Sequence, residues 1–386
     1  MPDTVASLMD IAARVALFAH PRCARLVVKI GSSLLVTGDG EVRRDWLASV
    51  VADIVTRRAS GQQVIVVSSG AIALGAKRLG LGHSGRASLD DAQAAAAAGQ
   101  IVLASAYAAL FDAHEVRAAQ ILLTLGDLED RRRYLNVAAT LDRLLTLDAV
   151  PVLNENDSVA TAEIRFGDND RLAARAAQAA GAGGVILLSD IDGLYSGDPR
   201  RDPAARLIAT VETIDAGVEA MAAGTSGSGL GTGGMAAKVA AAKLAAAAGF
   251  PLAVVDGRGE HPLQRFDATG HGTIFTAGGG AGARKAWLAG RATVAGRVTI
   301  DAGAVAALRD GRSLLAAGVT SVTGRFERGD AVEVVGPGGA AVARGLIAYD
   351  AADAARIAGH RNDAHAALLG YAPRTALIHR DQLVLL

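Results

Sequence analysis

A glycine-rich segment, GLGTGGMAAK, occupies residues 229–238 and is followed by an alanine-rich stretch that predicts a helix. Glycine allows backbone N–H groups to approach an anion closely, and a helix N-terminus adds partial positive charge. Lys238 would lie one turn into that helix and would add a full charge. The segment therefore predicts a phosphate site. It is not a Walker A loop, because Ala237 stands where that motif has glycine before lysine.

The same segment also fits two other interpretations. Gly229, Gly231 and Gly234 match the G-x-G-x-x-G fingerprint of dinucleotide-binding proteins, and Asp256 follows at about the expected twenty residues. That fingerprint should follow directly on a strand, whereas residues 216–228 predict helix and loop. A glycine-rich loop that binds nothing is the third interpretation. A dinucleotide-binding enzyme therefore stays open as the alternative at this point.

Lysine is rare in this chain, with five residues among 39 Lys and Arg. Where arginine is so preferred, a lysine suggests a site that needs a compact ammonium group. Lys29 ends an apolar run just before Gly31, so it would point beyond the sheet toward whatever the glycine turn binds, although a solvated lysine fits the same position. Ser68-Ser69-Gly70 forms a second turn of this kind. It suits a carboxylate or phosphate, and equally an ordinary helix cap.

Acidic and amide side chains concentrate between Asn154 and Asp170, where five acids and three amides fall within seventeen residues. Such a density suits an amino group and a metal–phosphate assembly. Capping is the competing explanation, since Asp168 or Asp170 could cap the helix predicted from Arg171. Ser189-Asp190 follows the next strand and could form a nucleoside pocket, although by itself it indicates only a turn.

Apolar, β-branched runs precede these polar clusters and alternate with alanine-rich helical stretches. The runs lie at 26–30, 64–67, 150–153, 185–188 and 252–255, with a weaker run at 116–123. Continuous apolar strands alternating with helices indicate an α/β fold, a three-layer sandwich around a mainly parallel sheet. Ligands bind beyond the carboxyl ends of the strands in such sheets. The polar clusters stand at those ends.

Beyond a glycine-rich linker near residue 277, the pattern changes to short strands and turns. Strands are predicted at 297–300, 331–335, 341–347 and 375–379, and helices at 302–309 and 350–358. These elements predict a small, mostly β domain of about ninety residues.

The amino-acid composition argues against several classes of protein, namely nucleic-acid-binding, membrane and secreted proteins. The formal net charge is zero, which argues against capture of nucleic acid or anionic membrane by the whole chain. One cysteine, Cys23, fits a reducing compartment, and the N-terminal residues lack the basic start of a signal peptide, so a cytoplasmic protein is expected. The apolar stretch 92–110 predicts a buried helix of a soluble domain, not a membrane span. The eight His residues are scattered and form no ligand-like cluster, and the sequence does not assign the metal ligands.

A resemblance to a known family rests on six motifs in order: VVKIGSS, SSGAIALG, LLTLGDLEDRRRYLN, PVLNENDSVATAEIRFGDND, LLSDIDGLYSGDPR and SGLGTGGMAAK. Together they resemble the glutamate 5-kinases of the amino-acid kinase family, from about residue 25 onward. GRVTIDAGA, SLLAAGVTSVTGRFERGD and RIAGH resemble the PUA domain that ends bacterial members. The resemblance divides the chain into an extension over 1–24, a kinase domain over 25–276, a linker over 277–295 and a PUA-like domain with a C-terminal strand over 296–386.

The activity that this resemblance implies is phosphorylation of the γ-carboxylate of L-glutamate by ATP with Mg²⁺, a phosphotransfer to a carboxyl group that begins proline biosynthesis. Carried over by motif, Lys29 and Lys238 would contact the transferring phosphoryl group, and Asp170 would organise both. The residues implied for glutamate are Ser69, Asp157 and Asn169. Those implied for ATP are Lys29, Ser189, Asp190, Thr232, Gly233, Gly234, Met235, Ala236, Ala237 and Lys238.

The resemblance also implies partners. Proline is expected as a feedback inhibitor, a dimer or tetramer as the assembly, and glutamyl phosphate reductase as the enzyme that receives the product. RNA binding by the PUA-like domain is not expected, because from Trp287 on the chain carries eleven Arg against nine Asp and Glu. Another amino-acid kinase, acting on N-acetylglutamate or aspartate, remains the neighbouring alternative.

Overall fold

The structure is a computed structural model that describes residues 11–159, 169–224, 234–277 and 294–386. The chain divides into two compact units. The first comprises Met1–Glu129 with Val137–Gly278, and the second comprises Asp130–Asn136 with Gly279–Leu386.

The first unit is built on a mainly parallel sheet, as predicted. In its described part eight strands lie in the order β3-β4-β2-β1-β5-β7-β8-β6. Neighbouring strands pair in parallel except β7 with β8. The strands are β1 (Arg25–Ile30), β2 (Gln63–Ser68), β3 (Ala118–Leu123), β4 (Val150–Glu155), β5 (Gly184–Ser189), β6 (Thr210–Val211), β7 (Leu252–Asp256) and β8 (Thr273–Phe275).

Helices cover both faces of this sheet, so the predicted three-layer arrangement is confirmed. They are α1 (Ser32–Leu35), α2 (Arg44–Ala59), α3 (Ala71–Leu79), α4 (Leu89–Asp112), α5 (Leu125–Glu129), α6 (Arg131–Thr146), α7 (Asn169–Ala180), α8 (Ala216–Gly224), α9 (Met235–Ala248) and α10 (Pro262–Thr269). Because strand side chains alternate, Val28 and Ile30 enter the core beneath α2 and α4. Lys29 therefore lies on the opposite face, where α7 packs against both β1 and α9.

Two glycines allow α3 and α4 to cross with their backbones in contact. A Cβ atom on Gly75 would lie 1.7 Å from the carbonyl oxygen of Ala95, and one on Gly99 would lie 1.8 Å from that of Ala71. No larger residue fits either position without separating the helices. This crossing fixes the start of α3, which faces the carboxyl ends of the strands.

Helix α4 contains the apolar stretch 92–110, for which the sequence predicts a buried helix. By length and composition it is the one helix in the described residues that could cross a membrane. Leu103, Tyr107 and Phe111 on its inner side are fully buried in the core, whereas Ile101 on its outer side is 62% exposed. The helix is thus buried along one side only.

The chain before β1 joins this core. Phe18 and Cys23 are fully buried and belong to the same hydrophobic cluster as the sheet. Burial raises the pKa of the Cys23 thiol to about 11, against the opposing effect of the Arg57 charge. The cysteine therefore stays a neutral thiol at physiological pH and is not a nucleophile.

The second unit contains a five-stranded sheet in the order β10-β9-β11-β12-β13. Its elements are β9 (Gly296–Ile300), α11 (Ala302–Arg309), β10 (Val319–Gly324), β11 (Ala331–Val335), β12 (Ala341–Leu346), α12 (Ala351–Ile357), α13 (Asn362–Leu369) and β13 (Leu383–Leu385). The predicted small, mostly β domain is confirmed. The strand predicted at 375–379 is wrong: Ile378 forms only an isolated bridge with Leu314, and the last strand is β13, which pairs with β12.

Candidate functional site

A cleft opens to solvent at the carboxyl edge of the parallel sheet. The polar groups that follow β1, β2, β4 and β5 meet at this edge, because parallel strands bring their carboxyl ends together. Residues from all four strand ends and from four helices line the cleft: Lys29, Gly31, Ser32, Ser33, Ser69, Gly70, Ala71, Ile72, Arg86, Asn154, Asp157, Asn169, Leu188, Ser189, Asp190 and Lys238. Motifs far apart in the sequence thus meet in a single site.

At the floor of the cleft, two lysines share one aspartate. Lys29 Nζ lies 2.6 Å from Asp170 Oδ1, and Lys238 Nζ lies 3.1 Å from Asp170 Oδ2. Lys29 is 6% exposed, Lys238 is 4% exposed and Asp170 is 1% exposed. Burial alone would raise the pKa of Asp170, but the charges and hydrogen bonds of both lysines outweigh it, and the pKa is lowered. The cluster therefore carries a net charge of +1 at neutral pH.

Three elements hold this cluster. Strand alternation aims Lys29 of β1 at the face that α7 covers. Asp170 lies in the first turn of α7, where the helix dipole also favours an anion. Lys238 lies in the first turn of α9, which begins at Met235 with Gly234 as its N-cap. The first N–H groups of α9 have no partner within the helix, so they can donate to a phosphate beside the lysine.

Asn169 joins the strand ends on the other side of the cleft. Its amide nitrogen lies 2.7 Å from Ser69 Oγ, 2.9 Å from the carbonyl oxygen of Ser68 and 3.0 Å from Asn154 Oδ1. Asn154 in turn donates to Gln100 Oε1 of α4 at 2.8 Å. The Asn169 Oδ1 atom is buried and has no hydrogen-bond partner among the described residues. A buried acceptor of this kind suits a ligand that donates a hydrogen bond.

Asp157 follows β4 in a short 3-10 helix, Asp157–Val159, and is partly buried at the wall of the cleft. Burial raises the pKa of its carboxyl to about 6, and the positive charge of Arg86 opposes that effect. Asp157 is thus ionised at neutral pH and can pair with an ammonium group. Gly70, with φ of 107°, makes the turn into α3 nearby, and a Cβ there would lie 2.9 Å from Val36 Cγ2.

The residues that follow β5 form the remaining wall. Ser189 is buried, Asp190 is exposed, and the Ser189 hydroxyl donates to Asp190 Oδ1 at 3.3 Å. The described part of the glycine-rich segment places Gly234, Met235, Ala236 and Ala237 at the start of α9. Thr232 and Gly233, and Asp168 of the acid–amide block, lie outside the described residues.

Of the predicted residues, the cleft is lined by Lys29, Ser69, Asp157, Asn169, Ser189, Asp190 and Lys238. Asp170 contacts both lysines. The start of α9, residues 234–237, precedes Lys238 but does not line the cleft. The structure also adds Arg86, which the sequence analysis missed. Arg86 lies between two helices with no motif around it, and the chain has many arginines, so its sequence context gave no signal. Gln100 was missed for a similar reason, since only the fold shows that α4 turns it toward Asn154.

The described residues include no group of three or more His, Cys, Asp or Glu side chains that could hold a metal ion. Asp170, the most buried carboxylate near the cleft floor, is occupied by two lysines. Mg²⁺ commonly keeps its waters and binds through substrate phosphates and one or two carboxylates. Among the described residues, the cleft therefore fits Mg²⁺ held by the phosphates of a bound nucleotide.

A parallel sheet with paired lysines and helix N-termini at its carboxyl edge is typical of α/β proteins that bind phosphate groups. The family model described as "Amino acid kinase family" matches residues 24–256, more than half of the chain. The chain belongs to the amino acid kinase family. A model for the PUA domain matches residues 296–367.

Three similar proteins have names that are more specific than the family name. A protein named glutamate 5-kinase from Sphingopyxis alaskensis is 63% identical over 96% of this chain and all of its own length. Another glutamate 5-kinase, from Novosphingobium aromaticivorans, is 61% identical over 94% of this chain and 96% of that relative. A third, from Zymomonas mobilis, is 59% identical over 96% of this chain and 94% of that relative.

Proposed function

We propose that the chain transfers the γ-phosphoryl group of ATP to the γ-carboxylate of L-glutamate, forming L-glutamyl 5-phosphate. The observation that carries this proposal is the Lys29–Asp170–Lys238 cluster, which lies in the same cleft as Asp157 and Asn169. The cluster supplies positive charge for a phosphoryl group, and the other wall supplies groups for an amino acid. The relatives named glutamate 5-kinase support the choice of substrate.

The reaction requires charge neutralisation and alignment more than acid–base chemistry. The γ-carboxylate of glutamate is ionised at neutral pH, so it needs no general base to act as a nucleophile. Its repulsion from the phosphate chain must be overcome instead. Lys29 and Lys238 would stabilise the negative charge on the transferring group, and Asp170 would hold both ammonium groups in place. Because Asp170 accepts from both, the two ammonium groups are held against the same carboxylate.

The substrates would occupy the two sides of the cluster. Asp157, Asn169 and Ser69 would hold glutamate, with the unpartnered Asn169 Oδ1 accepting from its ammonium group. ATP would lie against Ser189, Asp190 and the start of α9, with Thr232 and Gly233 completing the phosphate loop. Mg²⁺ bound with ATP would neutralise phosphate charge.

We further propose that the activity serves as the first step of proline biosynthesis in the cytoplasm. Proline as feedback inhibitor, a homodimer or homotetramer, and transfer of the product to glutamyl phosphate reductase belong to this proposal. We propose no RNA-binding role for the PUA-like domain, because of its small charge excess. A salt-sensitive gel shift at sub-micromolar protein would contradict that part.

ADP release by the purified protein tests the proposal. ADP should form only with glutamate, ATP and Mg²⁺ together, and hydroxylamine should trap the acyl phosphate as the hydroxamate. Lys238→Met should reduce kcat by about 10²-fold or more, since one transition-state cation is lost. Lys243→Met is the matched control, because Lys243 lies on α9 with its side chain 47% exposed and outside the cleft. Folded protein with no glutamate-dependent turnover would refute the proposal.

A substrate panel separates the neighbouring functions. N-acetylglutamate lacks the free ammonium group that Asp157 would bind, so turnover with it should be weak. Preference for N-acetylglutamate or aspartate over glutamate would replace the proposed substrate. The dinucleotide-binding alternative predicts that NAD(H), not ATP, raises the melting temperature.

A further inference from the structure

Arg86 places a cation at the glutamate side of the cleft. It follows the short 3-10 helix His83–Gly85, and its side chain is exposed and lines the cleft. The backbone there is fixed, because the Arg86 N–H donates to the carbonyl oxygen of His83 at 3.1 Å and Gly85 is buried. A Cβ on Gly85 would approach Ala76 to 2.9 Å. The main chain of Arg86 is therefore fixed beside the cleft, and its side chain extends from there along the cleft wall.

The guanidinium is available to a ligand. It forms no hydrogen bond or ion pair with any other residue that the structure describes, whereas Lys29 and Lys238 both contact Asp170. It nevertheless acts on the site, since its charge lowers the pKa of the Asp157 carboxyl against the effect of burial. Arg86 and Asp157 thus form a positive and a negative group on one part of the cleft wall.

This pair matches the part of glutamate that does not react. At neutral pH the α-carbon of glutamate carries a carboxylate and an ammonium group, and the γ-carboxylate must reach the lysine cluster. Asp157 alone would attract the ammonium group and repel the α-carboxylate. The N-terminus of α3 at Ala71 offers N–H groups and partial charge, but no full positive charge. A guanidinium binds a carboxylate with two parallel hydrogen bonds and supplies that charge.

We propose that Arg86 binds the α-carboxylate of the amino-acid substrate and so selects for substrates that carry it. The inference rests on the proposed function, which it makes more specific. Arg86 is thus a specificity residue that touches the substrate away from the reacting atoms. Its effect falls on kcat/KM for glutamate more than on kcat.

The test compares two substrates in three variants. L-Glutamate and its α-amide, isoglutamine, share the ammonium group and the γ-carboxylate and differ only at the α-substituent, which is an anionic carboxylate in one and a neutral amide in the other. Arg86→Met should lower kcat/KM for glutamate about tenfold, at the low end for a charge-assisted contact because the site is open to water. It should leave isoglutamine nearly unchanged, so the preference for glutamate falls about tenfold. Arg86→Lys should retain part of the preference, and Arg78→Met, an exposed arginine on α3 outside the cleft, should retain all of it.

The outcomes are distinguishable. Equal losses for both substrates in Arg86→Met, with an unchanged glutamate/isoglutamine ratio, would overturn the inference, because a purely structural role affects both alike. An unchanged kcat/KM for glutamate would overturn it too. If the unaltered protein turns over no glutamate, the proposed function fails first, and this inference falls with it. A reduced ratio at an unchanged melting temperature supports it.

Discussion

Asp170→Asn should strongly impair both the stability and the activity of this protein. The substitution keeps the size of the side chain but removes the negative charge between two ammonium groups, at contacts of 2.6 and 3.1 Å. All three residues are nearly inaccessible to water, so solvent cannot replace the lost charge. Removing one partner of a buried ion pair costs about 3–5 kcal/mol. Because whole domains are stable by only about 5–15 kcal/mol, the expected loss is large.

Urea denaturation of both proteins measures this loss as a lower midpoint at unchanged slope. The loss should depend on pH with a defined sign. The folded protein lowers the pKa of Asp170 below its ordinary value of 3.8, so the carboxylate stabilises the fold at neutral pH. That stabilisation disappears as the pH falls through the folded pKa, so the gap between the two proteins should narrow there. In ADP release, kcat should fall about 10²-fold or more, because both lysines lose their anchor.

Asp148→Asn provides the matched control. Its carboxylate pairs with Arg58 at 2.6 Å, but the Asp148 side chain is 94% exposed, and asparagine tolerates its positive φ of 58°. Exposed ion pairs contribute about 0–1 kcal/mol, so stability and kcat should stay near those of the unaltered protein. Equal losses in the two variants would refute the view that Asp170 is held by two buried lysines. A kcat of Asp170→Asn within threefold of the original would refute the proposed role of the cluster.

Three further predictions concern Asp157 and the crossing of α3 and α4. Asp157, with its pKa near 6, must be ionised to bind the glutamate ammonium group, so kcat/KM for glutamate should fall about tenfold per pH unit below 6; a profile flat from pH 7 to 5 would contradict this. Asp157→Asn should raise KM for glutamate and leave KM for ATP unchanged, and equal rises in both would argue against a glutamate-specific role. Gly75→Ala should lower the free energy of unfolding by about 3 kcal/mol in urea denaturation, because its Cβ would lie 1.7 Å from a carbonyl oxygen. Gly82→Ala has open space around it and should change stability by no more than about 0.5 kcal/mol, so equal effects would contradict the crossing of α3 and α4.

The sheet could be predicted because its signal is local. The runs that became β1, β2, β4 and β5 are continuous and apolar, as strands buried on both faces must be. The polar residues after them could be assigned to one edge because parallel strands end together. The surroundings of the Lys29 side chain could not be predicted in this way. Alternation within β1 shows on which face of the sheet Lys29 lies, but the sequence does not show that α7 covers that face.

The errors and omissions arise where structure depends on distant partners. Residues 375–379 have strand-like composition, and Leu377 and Ile378 are buried, yet this stretch forms only one bridge. Its sequence cannot show that β13 pairs with β12 instead. Nothing in the sequence around Gly75 and Gly99 marks them as special. Only the crossing of the two helices shows why each must be glycine. Arg86 likewise gains a role only because β4 ends opposite its loop.

The Lys29–Asp170–Lys238 cluster has a consequence for the order in which the chain is made. Its members lie early, midway and late in the first unit, so a ribosome synthesises Lys29 long before Lys238 emerges. Until then the nascent sheet holds a lysine and an aspartate whose second cation is missing, and the last strands β7 and β8 are also absent. Contacts between residues so far apart in the sequence carry a large entropic cost of loop closure, which slows folding. A product that ends before Lys238 would therefore lack the second cation of the cluster as well as strands β7 and β8.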